Sequence, residues 1–140
     1  MVGFRFNLFF FLTLLGICID FFHPHTQTCI KHKGLYIGGF LLFHHFLSSF
    51  MLYGWLLPNK RLLLLFIIAN ALMLTEWLIH GHCRLTRYVN QQCSWNPDTP
   101  FHDLMWWLGL KNITIGGYTI HVIMTVLFLF LGIYLYYFSS

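Results

Sequence analysis

Four apolar stretches, at about residues 4–22, 34–57, 62–80 and 115–138, carry nearly all the hydrophobicity of this chain. Each is close to the ~20 residues that an α-helix needs to cross the ~30 Å hydrocarbon core of a bilayer. Within that core every backbone N–H and C=O must be satisfied inside its own segment, so runs of this kind fold as helices. Of the 140 residues, 58% are hydrophobic and only 9% are charged, against about a quarter charged in a soluble domain. A soluble core of this size could not hide so much Phe, Leu and Ile. The expected fold class is an all-α membrane protein, a single integral domain over residues 1–140. It has four transmembrane helices and a short amphipathic interfacial helix between the third and fourth. The lipid bilayer is its first partner, and an integral, multi-pass membrane position is its expected location.

Local signals refine this outline. Pro58-Asn59-Lys60-Arg61 is a tight turn, which makes spans two and three antiparallel neighbours. Arg5 followed by the apolar run Leu8–Ile19 resembles a signal peptide, but Asp20-Phe21-Phe22-His23-Pro24 lacks the small residues of a cleavage site. The first run is therefore read as a retained span. Pro24 is read as a breaker in a polar loop from His23 to Cys29. Gly34 and Gly38 form a Gly-x-x-x-Gly pair that permits close helix approach. Pro100 opens a segment, about 100–110, in which Phe101, Leu104, Met105 and Leu108 recur on one helical face. Trp106 and Trp107 suit the headgroup region, so this segment is expected to lie in the membrane surface. The basic residues flank the apolar runs singly or in pairs, a placement for lipid headgroups and not for nucleic acid.

The chemistry is unevenly distributed. If all four stretches span, one side holds the connections 21–33 and 80–113. These carry Cys29, Cys83, Cys93, His23, His25, His32, His80, His82 and His102, with Cys18 near the same end of span one. Imidazole and thiolate are zinc or copper ligands, so His80, His82, Cys83, Cys93 and Cys29 are candidate metal ligands, although their spacing matches no standard zinc module. No cofactor is expected, with zinc or haem the groups that such ligands would take. The cysteines are expected free, with a Cys83–Cys93 bridge as the alternative in an oxidising space.

A second set is intramembrane. His44 and His45, each with a serine four residues on, give span two a polar stripe at mid-depth. Glu76 is the acidic residue set well inside an apolar segment, and His121 opens span four. Together His44, His45, Glu76 and His121 form a candidate polar seam. The functional versions of that seam are a proton or ion path through Glu76 and His44/His45, or histidine ligation of haem. Glu76, His80 and Cys83 share a helical face if the third helix continues that far. Thr114-Ile115-Gly116-Gly117-Tyr118 has its glycines on the wrong side of the tyrosine for a potassium filter, which excludes that channel reading. No serine triad, phosphate loop or paired catalytic carboxylates are present in the sequence, so no catalytic residue is assigned.

The segment Trp77-Leu78-Ile79-His80-Gly81-His82-Cys83-Arg84-Leu85-Thr86 resembles the Trp-x5-Cys-x-Leu-Thr segment that ends a membrane helix in small multi-span proteins of large DNA viruses. It is also similar to a bacterial membrane family with Cys-Pro-Leu-Thr and a following glutamate, but here Arg84 replaces the proline and Val89 the glutamate. The viral resemblance implies an integral virion membrane protein, in an internal membrane beneath a capsid or in the endoplasmic reticulum. The function expected is non-enzymatic: a structural or assembly component of a membrane-associated complex. Trp95, Phe101, Trp106 and Trp107 would contact another membrane or capsid-type protein, or a second copy. A membrane metal-binding or thiol-redox protein is the first alternative, and the proton or ion path is the second.

Overall fold

A computed structural model describes residues 2–81, 83–96, 104–110, 114–115 and 118–138. Among these residues seven helices follow in order: α1 (Val2–Phe21), α2 (Pro24–Lys33), α3 (Leu35–Tyr53), α4 (Lys60–His80), α5 (Arg84–Gln92), α6 (Leu104–Trp107) and α7 (Ile120–Phe138). A 3-10 turn at Gly54–Leu56 extends α3. Two short strands, β1 (Thr114–Ile115) and β2 (Tyr118–Thr119), pair antiparallel just before α7. Among the described residues three helices, Gly3–Phe21, Leu35–Leu56 and Lys60–His80, are long and apolar enough to cross a membrane. The stretch Val122–Phe138 is apolar but shorter.

Several elements depart from the expected outline, each for a local reason. The polar segment after Pro24 is a ten-residue helix and not a loop, because proline at the first helical position costs no hydrogen bond. The 83–93 connection likewise folds as α5, whose apolar Val89 is fully buried. The α4 helix stops at His80 because Gly81 takes a left-handed conformation, φ 71°, and donates its N–H back to Trp77. Cys83 therefore leaves the face of Glu76 and His80 and stands at the start of α5. The fourth apolar stretch begins as β1 and β2, so its helix starts at Ile120 and not at Ile115.

α1 and α3 run antiparallel in a register that four contacts establish. Arg5 donates to the Trp55 carbonyl at 3.0 Å, and Phe9 packs on Leu56 and Leu57. Leu12 and Gly16 face Ser49 and Leu52, and Asp20 meets His45. The first ten residues of α3, Leu35 to His44, therefore continue about 15 Å past the level of Asp20 at 1.5 Å per residue. α2 and α5 pack around this overhang. The resulting head has a core of Cys29, Ile37, Leu41 and Val89, flanked by Phe21, Ile30, Phe40, Tyr88, Cys93 and Trp95. A disulfide between Cys29 and Cys93, 64 residues apart and 5.3 Å between Cα atoms, closes it. This pairing replaces both the expected set of free thiols and the Cys83–Cys93 alternative. Cys18 and Cys83 are free.

The other end of the bundle is organised by Phe66. Its ring is 0% exposed and fills a slot between two glycines. A Cβ on Gly54 would lie 2.6 Å from the ring, and one on Gly132 would lie 2.7 Å from it. α7 packs along α4 through this contact. Glycine here removes the side chain that would hold the helices apart. The Gly34/Gly38 pair has no such role. Gly34 has open space around its missing side chain, and Gly38 meets only the Ile30 side chain at 3.9 Å.

Two outcomes test this packing. Phe66→Ala should destabilise the bundle by about 3–5 kcal/mol, measured by denaturant unfolding in detergent, whereas Gly38→Ala should be close to neutral. Cys29→Ser should abolish the reduction-dependent shift of the protein on a gel, and Cys83→Ser should leave that shift intact.

Candidate functional site

The polar layer lies where the bundle meets the head. Asp20 stands in the last turn of α1, Thr26 in the first turn of α2 and His45 midway along α3. They are 0%, 0% and 1% exposed. The Asp20 Oδ2 atom lies 2.6 Å from His45 Nε2, and Oδ1 accepts a hydrogen bond from the Thr26 hydroxyl at 2.8 Å. A carboxylate is tolerable at such burial only when paired and hydrogen-bonded. One acidic side chain thus joins three helices.

His44, the neighbouring residue on α3, is turned towards α5. Its Nε2 lies 3.3 Å from the Thr86 hydroxyl and 3.5 Å from Ser48 Oγ. Farther out on the same side the Tyr36 and Tyr88 hydroxyls meet at 3.2 Å. That contact, with desolvation second, raises the Tyr88 phenol above its ordinary pKa. Below His45 a cleft of about 10 Å³ is lined by Leu12, Gly16, Ser48, Ser49, Leu52, Tyr53 and Met105. That is room for about one water beside polar groups able to hold it.

The predicted seam is divided among separate places. His44 and His45 belong to the buried layer and sit level with the end of α1. Glu76 is at the end of α4, 30% exposed, with His80 Nε2 at 3.6 Å and Arg84 Nε at 3.8 Å. A pair this open to its surroundings contributes only about 0–1 kcal/mol. His121 lies in the first turn of α7, its side chain outside the described residues.

The five candidate metal ligands are not brought together. Cys29 and Cys93 are bonded to each other and offer no thiolate. His80 lies against Glu76, Cys83 is half-buried at the start of α5, and His82 lies outside the described residues. Among the described residues no three His, Cys, Asp or Glu side chains converge as a metal would need. Of the candidate partner contacts, Trp95 packs half-buried on the head core, and Trp107 is 66% exposed. Phe101 and the Trp106 side chain lie outside the described residues. Met105 is only 6% exposed and lines the cleft beside α1. Here the segment expected at the membrane surface reaches into the bundle.

Asp20 is the member of this buried layer that the sequence reading passed over, in favour of Glu76. Its signal was available. It follows an uninterrupted apolar run and sits one short connection away from a histidine pair on the next span. A charge there needs a buried partner.

Removing one member of the pair should be costly and removing both less so. Asp20→Asn or His45→Leu alone should destabilise by about 3–5 kcal/mol, and Asp20→Leu with His45→Leu by markedly less than the sum. A double-mutant cycle of detergent unfolding measures this coupling.

No protein-family model, curated protein or solved structure matches this chain.

Proposed function

We propose that the protein is a non-enzymatic, four-span membrane component that presents a disulfide-stapled head to a partner carrying an acidic surface. The observation that carries this reading is the head itself. Among its described residues the exposed charges, Lys31, Lys33, Arg84 and Arg87, are all cationic, and beside them Leu35 is 90% and Tyr36 62% exposed. Aromatic and aliphatic anchors rimmed by one sign of charge suit an interface with an oppositely charged surface. Two copies meeting through this face would bring like charges together, so a different protein is the better occupant. α7, apolar and packed along α4, supports the fourth span. The likeness of the Trp77–Thr86 segment to viral membrane proteins supports a virion membrane as the setting.

The disulfide also argues for an orientation. Disulfides persist on the oxidising side of a membrane, so the head faces away from the cytosol. Arg5, Lys60 and Arg61 then lie on the cytosolic side, with Lys31, Lys33, Arg84 and Arg87 opposite, so the orientation rests on the disulfide and not on the distribution of basic residues.

Two measurements address the reading. A photocrosslinker at position 35 in native membranes should capture a protein with an acidic surface. Charge reversal at Lys31, Lys33 and Arg87 should abolish capture. Undiminished capture by the reversed head, or capture of copies of this chain alone, would count against the proposal. An impermeant maleimide should label Cys83 from the non-cytosolic side and an Asn59→Cys variant from the cytosolic side, and the opposite pattern overturns the orientation.

A further inference from the structure

The bundle covers only one side of α4. Leu63, Phe66 and Asn70 are buried, and α7 packs along the helix. The opposite side is open. Leu65, Ile68, Leu72, Thr75 and Ile79 are all exposed, at intervals of three, four, three and four residues. That repeat is the seam along which two helices pack side by side, in water or in lipid. An apolar seam does not by itself call for a protein neighbour. Lipid serves the outward faces of α1 at Phe11 and Leu14 and of α7 at Leu127 and Phe130.

Glu76 sets the α4 face apart. It follows Thr75 directly and so borders the seam, one helical turn, or about 6 Å, inside the end of α4. The charged side chains of α1 are committed within the chain, Arg5 to the Trp55 carbonyl and Asp20 to His45. Glu76 is partly exposed, and its neighbours stand off at 3.6 Å (His80 Nε2) and 3.8 Å (Arg84 Nε). Both separations exceed the length of a good hydrogen bond. An ionisable group in a spanning helix almost always faces protein.

Arg84 indicates which protein. It lies at the start of α5, eight residues beyond Glu76, and is exposed, yet its guanidinium reaches the height of the Glu76 carboxylate. Two copies in one bilayer are related by a two-fold axis along the membrane normal, which preserves height. Packing α4 on α4 about that axis brings two carboxylates and two guanidiniums into one layer. Each carboxylate then has the guanidinium of its own chain on one side and that of the other copy on the other. The patch is self-complementary, unlike the described charges of the head, which are all cationic.

We propose that the outward face of α4 is the interface of a homodimer, packed along the Leu65–Ile79 seam and held in register by Glu76 and Arg84. The apolar seam supplies contact area but fits at several heights. The charged layer fits at one, since a slip along the axis parts the opposite charges, and setting register is the best-attested use of a buried ionic group. The inference concerns the outward side of α4 and is independent of the docking reading.

The test uses the full chain in lipid membranes, with Cys18→Ser and Cys83→Ser so that only introduced thiols react and the Cys29–Cys93 bridge stays closed. Under oxidation Ile79→Cys should crosslink into dimers at least about tenfold faster than Phe130→Cys on the outward face of α7. Equal rates at the two positions mark random collision in the bilayer and overturn the proposal. Glu76→Arg, or Arg84→Glu, should slow the Ile79→Cys reaction by about tenfold or more. Co-expressing copies that carry Glu76→Arg with copies that carry Arg84→Glu should restore it, because opposite charges then meet only across the interface. A mixture that crosslinks no faster than either variant alone overturns the charged pairing. If the variants fail to insert, photobleaching of single particles of the fluorescently tagged parent at low density decides: two steps support the dimer, and one step overturns it.

Discussion

The contact between Asp20 and His45 sets the geometry of everything around it. It aligns the end of α1 with the tenth residue after the start of α3. That alignment forces the first part of α3 to project past α1, and the projection is what α2 and α5 cover. A buried ion pair is weak evidence for stability, since desolvation offsets much of the attraction. Its stronger effect is on register. A shift of α3 along α1 that put Phe46 in the place of His45 would leave the buried carboxylate without its imidazole.

The two ends of the molecule are held by different forces. The Phe66 end is a matter of shape: a ring in a slot between two glycines, with contact area gained because no side chain intervenes. This suits a medium that offers no hydrophobic drive for helices to associate. The head combines a small apolar core with a covalent closure over 64 residues. So small a core has little surface to bury on folding, and small units of this kind commonly rely on disulfides. The polar layer lies between these two regimes, where each side chain needs a specific partner.

Much of the architecture was legible in the chain. The apolar runs predict four membrane helices, of which α1, α3 and α4 are long and apolar enough to cross while the fourth run holds the shorter α7, and Pro58-Asn59-Lys60-Arg61 predicts the turn between α3 and α4. Histidine–serine spacing predicts a polar face on α3. The short helices α2 and α5 were hidden because both are polar on average, and their helicity depends on packing against α3. The site was legible in part. His44 and His45 stand out as polar residues in an apolar run, while Asp20 reads as the end of a span until the helices are set side by side. The clustering of cysteine and histidine on one side suggested metal chemistry, but only the pairing of Cys29 with Cys93 shows how two of those thiols are used.

The sequence by itself determined that this chain is helical and that three of its helices are long and apolar enough to cross a membrane. Hydropathy acts locally, and the number of apolar residues in a row decides whether a segment can cross. Only the tertiary structure decided the partners: Asp20 with His45, Cys29 with Cys93, and Phe66 with Gly54 and Gly132. These depend on the relative height and rotation of helices, which are set by the sum of many weak contacts between segments far apart in the chain.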